Sequence, residues 1–280
     1  MKDGYRPSIL CALKGMFSFF TMIPINIERK HMDDMNRCFW LVPIIGLFYG
    51  VFAATIFILV NEFVTTFIAA ALTLFLVGMM NRFLHLDGTI DIGDGLTVAG
   101  RKEDHVRALK DTLVGAGGVA TGLMVVLLTF CEYVSLEYVS LGSVSFLFFG
   151  LSAEILARNA QVTAATFGIA GNGMAGDSVR YTGKGSLVLS LILTAALLAL
   201  SYFVCTFIAK DVLKGTLDCA YIVGIAAGFA ASVIWGLIMS WIANRNFGMV
   251  NGDVLGATNE TSRAVTLFAM IATFMIMTGM

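Results

Sequence analysis

Charge is the scarcest feature of this chain. Asp, Glu, Lys and Arg make up 13% of its 280 residues, against roughly 25% in a water-soluble domain. Hydrophobic residues supply 58%, and the mean hydropathy is +0.85. Too little polar surface remains to face water, so soluble enzyme scaffolds are excluded and lipid must take the place of solvent. A basic excess is also missing: net charge is -1, which leaves no field for nucleic acid and excludes it as a partner. The five cysteines, Cys11, Cys38, Cys131, Cys205 and Cys219, lie singly, without a CxxC pair or a nearby His at ligand spacing. They are expected to be small, mostly buried apolar residues. Lys14 interrupts the first apolar run and no A-x-A-like site follows, so no cleaved signal peptide is expected and the chain is treated as mature. A soluble domain, a low-complexity linker and a clear repeat are all absent, so residues 1–280 count as one domain.

What is present is a series of apolar runs. A bilayer core of about 30 Å needs about 20 apolar helical residues, and seven such spans are predicted: 39–60, 63–80, 115–134, 143–167, 186–208, 220–243 and 262–279. Before them, Ile9, Leu13, Met16, Phe20 and Ile23 form a stripe at helical spacing, predicting an interfacial amphipathic helix over Ser8–Ile23 that ends at Pro24. The expected fold is therefore all-α, a polytopic membrane bundle of about seven spans plus one interfacial helix.

With the amino terminus inside, the segments Asn81–Thr112, Gly168–Gly185 and Asn244–Thr261 share its side. Lys2, Arg6, Lys14, Arg29, Lys30, Arg37, Arg82, Arg101, Lys102, Arg107, Lys110, Arg158, Arg180, Lys184, Arg245 and Arg263 then lie on that side or in its flank. Only Lys210 and Lys214 fall opposite. That bias assigns the amino terminus and the polar segments to the cytoplasm and the carboxyl terminus to the outside. Glycines four apart, Gly46 and Gly50, Gly118 and Gly122, Gly224 and Gly228, fit close helix packing in lipid.

The densest chemistry lies in His85-Leu86-Asp87-Gly88-Thr89-Ile90-Asp91-Ile92-Gly93-Asp94-Gly95. On a helix, Asp87, Asp91 and Asp94 fall within about 60° of one another. Like charges so close repel, and each costs about 2.5–3.5 kcal/mol to place near hydrocarbon. A hard divalent cation, Mg²⁺ or Mn²⁺, would offset both, since such ions take oxygen ligands and bridge carboxylates to phosphates. A solvated acidic loop, or pairing with Arg82, Arg101 or Arg107, is the plainer alternative. Gly88, Gly93 and Gly95 weaken a helix and so point to close approach of backbone or ligand. His85 lies about 160° from the acidic face, and joins it only if the helix begins after it.

Three further clusters share that side. Asp104, Arg107 and Asp111 occupy one helical face with Lys110 beside them, just before Gly115-Ala116-Gly117-Gly118. Such a glycine-rich helix entry could hold a phosphate on free N–H groups, although ordinary flank ion pairs explain the charges equally well. Asn244–Glu260 carries Arg245, Gly252, Asp253, Gly256 and Glu260, with Asp253 and Glu260 seven apart on one face. Acids from two segments on one side would suit metal ions flanking a diphosphate. In Gly168–Gly185, Arg180 and Lys184 could bind phosphate or simply be solvated.

These passages resemble one family, the adenosylcobinamide-GDP ribazoletransferases or cobalamin synthases. Phe20-Thr21-Met22-Ile23-Pro24 is similar to its FxTxxP opening, and Pro43 through Gly46-Leu47 to its P-x-x-G-L first span. His85-Leu86-Asp87-Gly88 with Asp91 and Asp94-Gly95 matches HLDGxxDxxDG; Lys110-Asp111 with Gly115 and Gly118 resembles KDxxxGxxG; Gly252-Asp253-Val254-Leu255-Gly256-Ala257 with Glu260 resembles GDVLGAxxE. The chain departs from the pattern at Thr112-Leu113 and at Asn159 after Arg158. The resemblance implies a multi-pass enzyme of the cell membrane, acting at its cytoplasmic face. It would join adenosylcobinamide-GDP to α-ribazole or its 5′-phosphate with release of GMP and a requirement for Mg²⁺. It implies metal ligands Asp87, Asp91 and Asp94; catalytic Asp111, Asp253, Glu260, Lys110 and His85; and substrate contacts at Arg158, Arg245, Gly88, Gly95, Gly252 and Gly256. A homo-oligomer, or docking with neighbouring corrinoid-pathway enzymes, is left open.

Two other classes fit the residues less well. A CDP-alcohol phosphotransferase shows D-G-x-x-A-R, whereas Gly88 is followed here by Thr89-Ile90-Asp91-Ile92. A cation transporter would line opposing mid-span helices with acids, and only Glu132 and Glu154 sit deep enough for that.

Overall fold

The structure is a computed structural model that describes residues 6–138, 145–208 and 216–279. Lys2, Lys210 and Lys214, and the first two residues of the predicted 143–167 span, lie outside them. All regular elements among the described residues are helices, and the only strand-like feature is a single bridge between Ala170 and Val250. Among the described residues, five helical stretches are long and apolar enough to cross a membrane, Phe39–Asn61, Ala116–Tyr138, Lys184–Phe207, Cys219–Asn246 and Gly252–Thr278, and the bent pair Thr66–Met80 with Leu84–Thr97 makes at most a sixth, fewer than the seven expected.

The first helix, α1 (Ile9–Phe20), starts at Ser8, whose side chain accepts from the Cys11 N–H. It buries Ala12, Gly15, Met16 and Phe20 and leaves Ile9 54% exposed. The buried face is thus turned from the predicted stripe, because α2 (Arg29–Arg37) folds back on α1 and brings the His31 backbone against Gly15. A short 3-10 turn (Phe39–Leu41) leads into α3 (Pro43–Asn61), which carries Pro at its first position, where no N–H is needed.

The chain next forms α4 (Thr66–Met80) and α5 (Leu84–Thr97), which are bent 93° from each other. The bend is made by Arg82 and Phe83, both with left-handed backbone (φ 56° and 54°), a conformation costly for residues with a side chain. Arg82 compensates by donating to the carbonyls of Ser18 (3.1 Å) and Thr21 (2.5 Å) at the end of α1. Gly78 leaves room for the Phe83 ring. The predicted span 63–80 is therefore α4, and α5 turns sharply away from its axis. It lies across the first turns of two spanning helices, α7 (Ala116–Tyr138) and α12 (Gly252–Thr278). Between α5 and α7 comes α6 (Lys102–Leu109).

At the centre stands α8 (Leu151–Phe167), entered through a π-turn (Phe146–Gly150) and buried from Leu151 to Ala165. It is packed by α3, α11 (Thr216–Asn246) and α12, with α10 (Lys184–Ile208) beside it. Its polar residues point into protein, as polar groups at membrane depth must. Asn159 donates to Ser232 Oγ (3.0 Å) and accepts from Ser190 (3.4 Å) and Thr194 (3.3 Å), joining α8 to α10 and α11. The glycine pairs do pack helices: Gly46 and Gly50 face the backbone of Glu154 and Leu151, and Gly224 and Gly228 face Phe149 and Met270.

Two further expectations need correction. The last span begins at Gly252, ten residues before the predicted 262, because Val254–Glu260 is buried inside the bundle, where Asn259 and Glu260 meet His85 and Arg263 instead of water. The segment before it is held by the Ala170–Val250 bridge, with Val250 N–H donating to Ile169 O (2.7 Å); this also seats α9 (Gly173–Tyr181) beside the start of α12. Finally, only Cys38 and Cys205 are buried, while Cys131 and Cys219 are exposed on helix surfaces that face lipid in a membrane bundle.

Candidate active site

At the end of the bundle where α7 and α12 begin, α5, α8, α9 and α12 close around a cavity of 210 Å³ with α1 and the α2–α3 segment. His85, Asp87, Gly252, Asp253 and Gly256 line it together. The two helices that supply them touch closely: a Cβ on Gly88 would lie 2.7 Å from the Asp253 carbonyl oxygen and 2.8 Å from its Cα. Glycine at 88 is what lets the Asp87 turn of α5 reach the Asp253 turn of α12. Gly256 faces the His85 backbone, a Cβ there falling 3.2 Å from His85 Cα, and Gly95 faces the Phe247 ring. These three glycines serve helix approach, whereas Gly252 has room before it, with Ala175 Cβ at 3.7 Å from a built Cβ.

The acidic face divides by position. Asp87 is exposed and Asp91 half-buried. Burial first, and then the carboxylates of Asp253, Asp87 and Asp94, push the Asp91 carboxyl up to about 6. Asp94 instead reaches α7: its carboxylate accepts from the N–H groups of Gly115 (2.6 Å) and Gly118 (2.7 Å). The glycine-rich entry is thereby capped from within the chain, and those N–H groups are taken. Asp253 accepts from Asn251 Nδ2 (2.7 Å), which fixes its orientation, and Lys110 lies within its electrostatic reach.

Behind the cavity lies an ionic cluster. Arg263 pairs through Nε with Glu154 (2.6 Å) and through Nη1 with Glu260 (2.6 Å). Arg158, 1% exposed, donates to His85 Nε2 (3.1 Å) and to Gln161 Oε1 (3.2 Å), beneath the rings of Phe20 and Tyr49. Gln161 in turn donates to Leu255 O (2.9 Å). Burial and the two guanidiniums hold the His85 pKa well below the usual value, so the ring is neutral and its Nδ1 faces Asn259 (3.4 Å) and Glu260 (3.7 Å). His85 lies inside α5 and is buried where Asp87 is exposed, yet both border the same cavity.

The other predicted site residues stand apart. Asp111 lines a separate open cavity with Asp104 and Arg107, which pair with each other. Arg245 is exposed and lies over the Trp241 ring. Spacing alone did not reveal Arg263 and Glu154 as the partners that fix Glu260, although a cation three residues after Glu260 was a usable signal. The aromatic wall formed by Phe19, Phe20 and Phe39 had no local signature.

Among the described residues, no group of three or more His, Cys, Asp or Glu side chains forms a ready-made metal centre. The donor set nevertheless suits a hard cation: Asp87, Asp91 and Asp253 are oxygen donors with no ion pair among the described residues, and they gather where α5 meets α12.

The sequence matches the family described as cobalamin-5-phosphate synthase over residues 12–271. The chain belongs to that family. Curated relatives of the chain include an adenosylcobinamide-GDP ribazoletransferase of Methanocella arvoryzae, 33% identical over 94% of this chain and 96% of its own length. Those of Methanococcoides burtonii (27% identical, 93% and 92% covered) and Halorubrum lacusprofundi (29%, 93% and 96%) carry the same name. No solved structure matches the chain. Membership, with its long apolar helices, makes the protein a membrane-embedded transferase of cobalamin synthesis.

Proposed function

We propose that the protein is an adenosylcobinamide-GDP ribazoletransferase of the cell membrane. It joins the adenosylcobinamide phosphate to α-ribazole or its 5′-phosphate and releases GMP, with Mg²⁺ held at the cytoplasmic face. The observation that carries this reading is the meeting of Asp87 and Asp253, from two different helices, at one cavity, with Asp91 adjacent and charge-strained. The basic bias of the same end of the chain supports the orientation.

In the reaction a ribose hydroxyl oxygen bonds to the phosphorus bearing the adenosylcobinamide side, and the bond from that phosphorus to the bridging diphosphate oxygen breaks. GMP departs with the electron pair. The hydroxyl proton passes to Asp253, whose carboxylate is oriented by Asn251. Lys110 meets negative charge near Asp253. Asp87 and Asp91 would hold Mg²⁺, which when bound supplies charge neutralisation to the diphosphate. Asp94 anchors α7, and His85, Arg158, Glu260 and Arg263 fix the relative placement of α5, α8 and α12; such a reaction needs positioning more than covalent help.

Because burial and the neighbouring carboxylates push the Asp91 carboxyl up to about 6, an ion binding near or below that pH must displace a proton. Mg²⁺ binding is therefore expected to weaken as pH falls through 6. Asp91→Asn, in protein that inserts and folds normally, is expected to require at least tenfold more Mg²⁺ for half-maximal GMP release and to lose this pH dependence. Full activity of the variant at limiting Mg²⁺ would remove Asp91 from the metal site.

A further inference from the structure

We infer that the cavity beside Asp87 and Asp253 is the pocket for the aromatic base of the ribazole acceptor, an inference that rests on the transferase reading. A cavity of about 150 Å³ accepts a benzene ring, so 210 Å³ fits one fused bicycle and is too small for a corrin. Its wall is aromatic and apolar where the base would lie: Phe19 and Phe20 from α1, Met35 and Phe39 from the α2–α3 segment, and Met174 and Ala175 from α9.

Apart from Asp87 and Asp253, which the proposed reaction uses, the polar side chains on the wall are already engaged within the protein. Gln161 uses its oxygen on Arg158 and its amide nitrogen on Leu255 O; Ser178 donates to Asn36 Oδ1 (2.7 Å); His85 meets Arg158 and Asn259. With those two carboxylates committed to the metal and the acceptor hydroxyl, a guanine on this wall would leave most of its donors and acceptors without partners, which disfavours it. The benzimidazole of ribazole has a flat apolar body and loses little, and burying such a ring against aromatic side chains is favourable. The carboxylates sit on the same cavity, so a base held by this wall leaves its ribose beside Asp253 and the diphosphate outside the pocket.

The test uses the full-length protein in detergent and two acceptors, α-ribazole and the corresponding imidazole riboside, which lacks the fused benzene ring. With wild type, the imidazole riboside is expected to show a kcat/KM at least tenfold lower. Ala175→Phe fills the cavity from α9; it is expected to raise the KM for α-ribazole at least tenfold, leave that for adenosylcobinamide-GDP within about twofold, and shrink the difference between the two acceptors. A merely structural defect would not move that ratio. An unchanged ratio, or a KM rise confined to adenosylcobinamide-GDP, overturns the assignment. Should Ala175→Phe not fold, Ala175→Leu and the wild-type acceptor comparison decide it, equal use of both acceptors being the contrary result. If wild type releases no GMP at all, the transferase reading fails by itself. Equilibrium binding of α-ribazole to wild type and Ala175→Phe then still judges the pocket, with tenfold weaker binding to the variant supporting it and equal binding refuting it.

Discussion

Replacing Arg263 with methionine is expected to destabilise the protein by about 3–5 kcal/mol, the cost of breaking a buried ion pair from one side. Arg263 is 3% exposed and stands between Glu154 on α8 and Glu260 on α12, with both carboxylates at 2.6 Å. Without it, two buried acids face each other with no guanidinium between them. Thermal unfolding in detergent measures the loss. Neutralising both partners in the same chain, with Glu154→Gln and Glu260→Gln added to Arg263→Met, is expected to recover much of it, because the penalty lies in the orphaned charges and not in the missing attraction. A single variant as stable as wild type would show that the cluster does not hold α8 and α12 together.

The second large effect is chemical. Asp253→Asn preserves the size of the side chain at the start of α12 and removes its negative charge and its ability to take a proton. It is expected to lower kcat by about 10²–10⁴, the usual contribution of a general base, with folding intact and the KM values for both substrates little changed. GMP release under saturating substrates, beside circular dichroism of the same preparation, checks both halves. The comparison with Glu260→Gln is informative: Glu260 is engaged by Arg263 behind the cavity, so its substitution should act mainly through stability. A kcat for Asp253→Asn within a fewfold of wild type would assign the proton to another group.

The membrane bundle is legible in the sequence because a bilayer imposes a length and an apolarity on each span. The acidic face of α5 is legible for a similar reason, since helical spacing alone sets Asp87 and Asp91 one turn apart. What spacing cannot convey is which distant helix receives a side chain. Asp94 shares the face by angle, yet it lies two turns along, where α7 begins, and spends its oxygens on Gly115 and Gly118. The segment before residue 262 reads as a polar loop because hydropathy treats Asn259 and Glu260 as if water must solvate them. In the fold they are met by His85 and Arg263, so the helix starts at Gly252. Arg158 reads as a cation of the membrane flank for the same reason, and is instead buried under Phe20 and Tyr49. The glycines were more informative: Gly88 signals close approach, and the approaching group is the Asp253 backbone. The aromatic cavity is the least legible feature, since Phe20, Phe39 and Ala175 come from three separate segments.

The central claim is a phosphoryl transfer at the junction of α5 and α12, and one measurement tests it most directly. Purified wild-type protein is incubated with adenosylcobinamide-GDP and α-ribazole, with Mg²⁺ or with chelator, and both GMP and the completed corrinoid are quantified. The account predicts GMP and completed corrinoid in equal amounts, dependent on Mg²⁺. Folded protein that binds both substrates but forms neither product, with Mg²⁺ present, would contradict it.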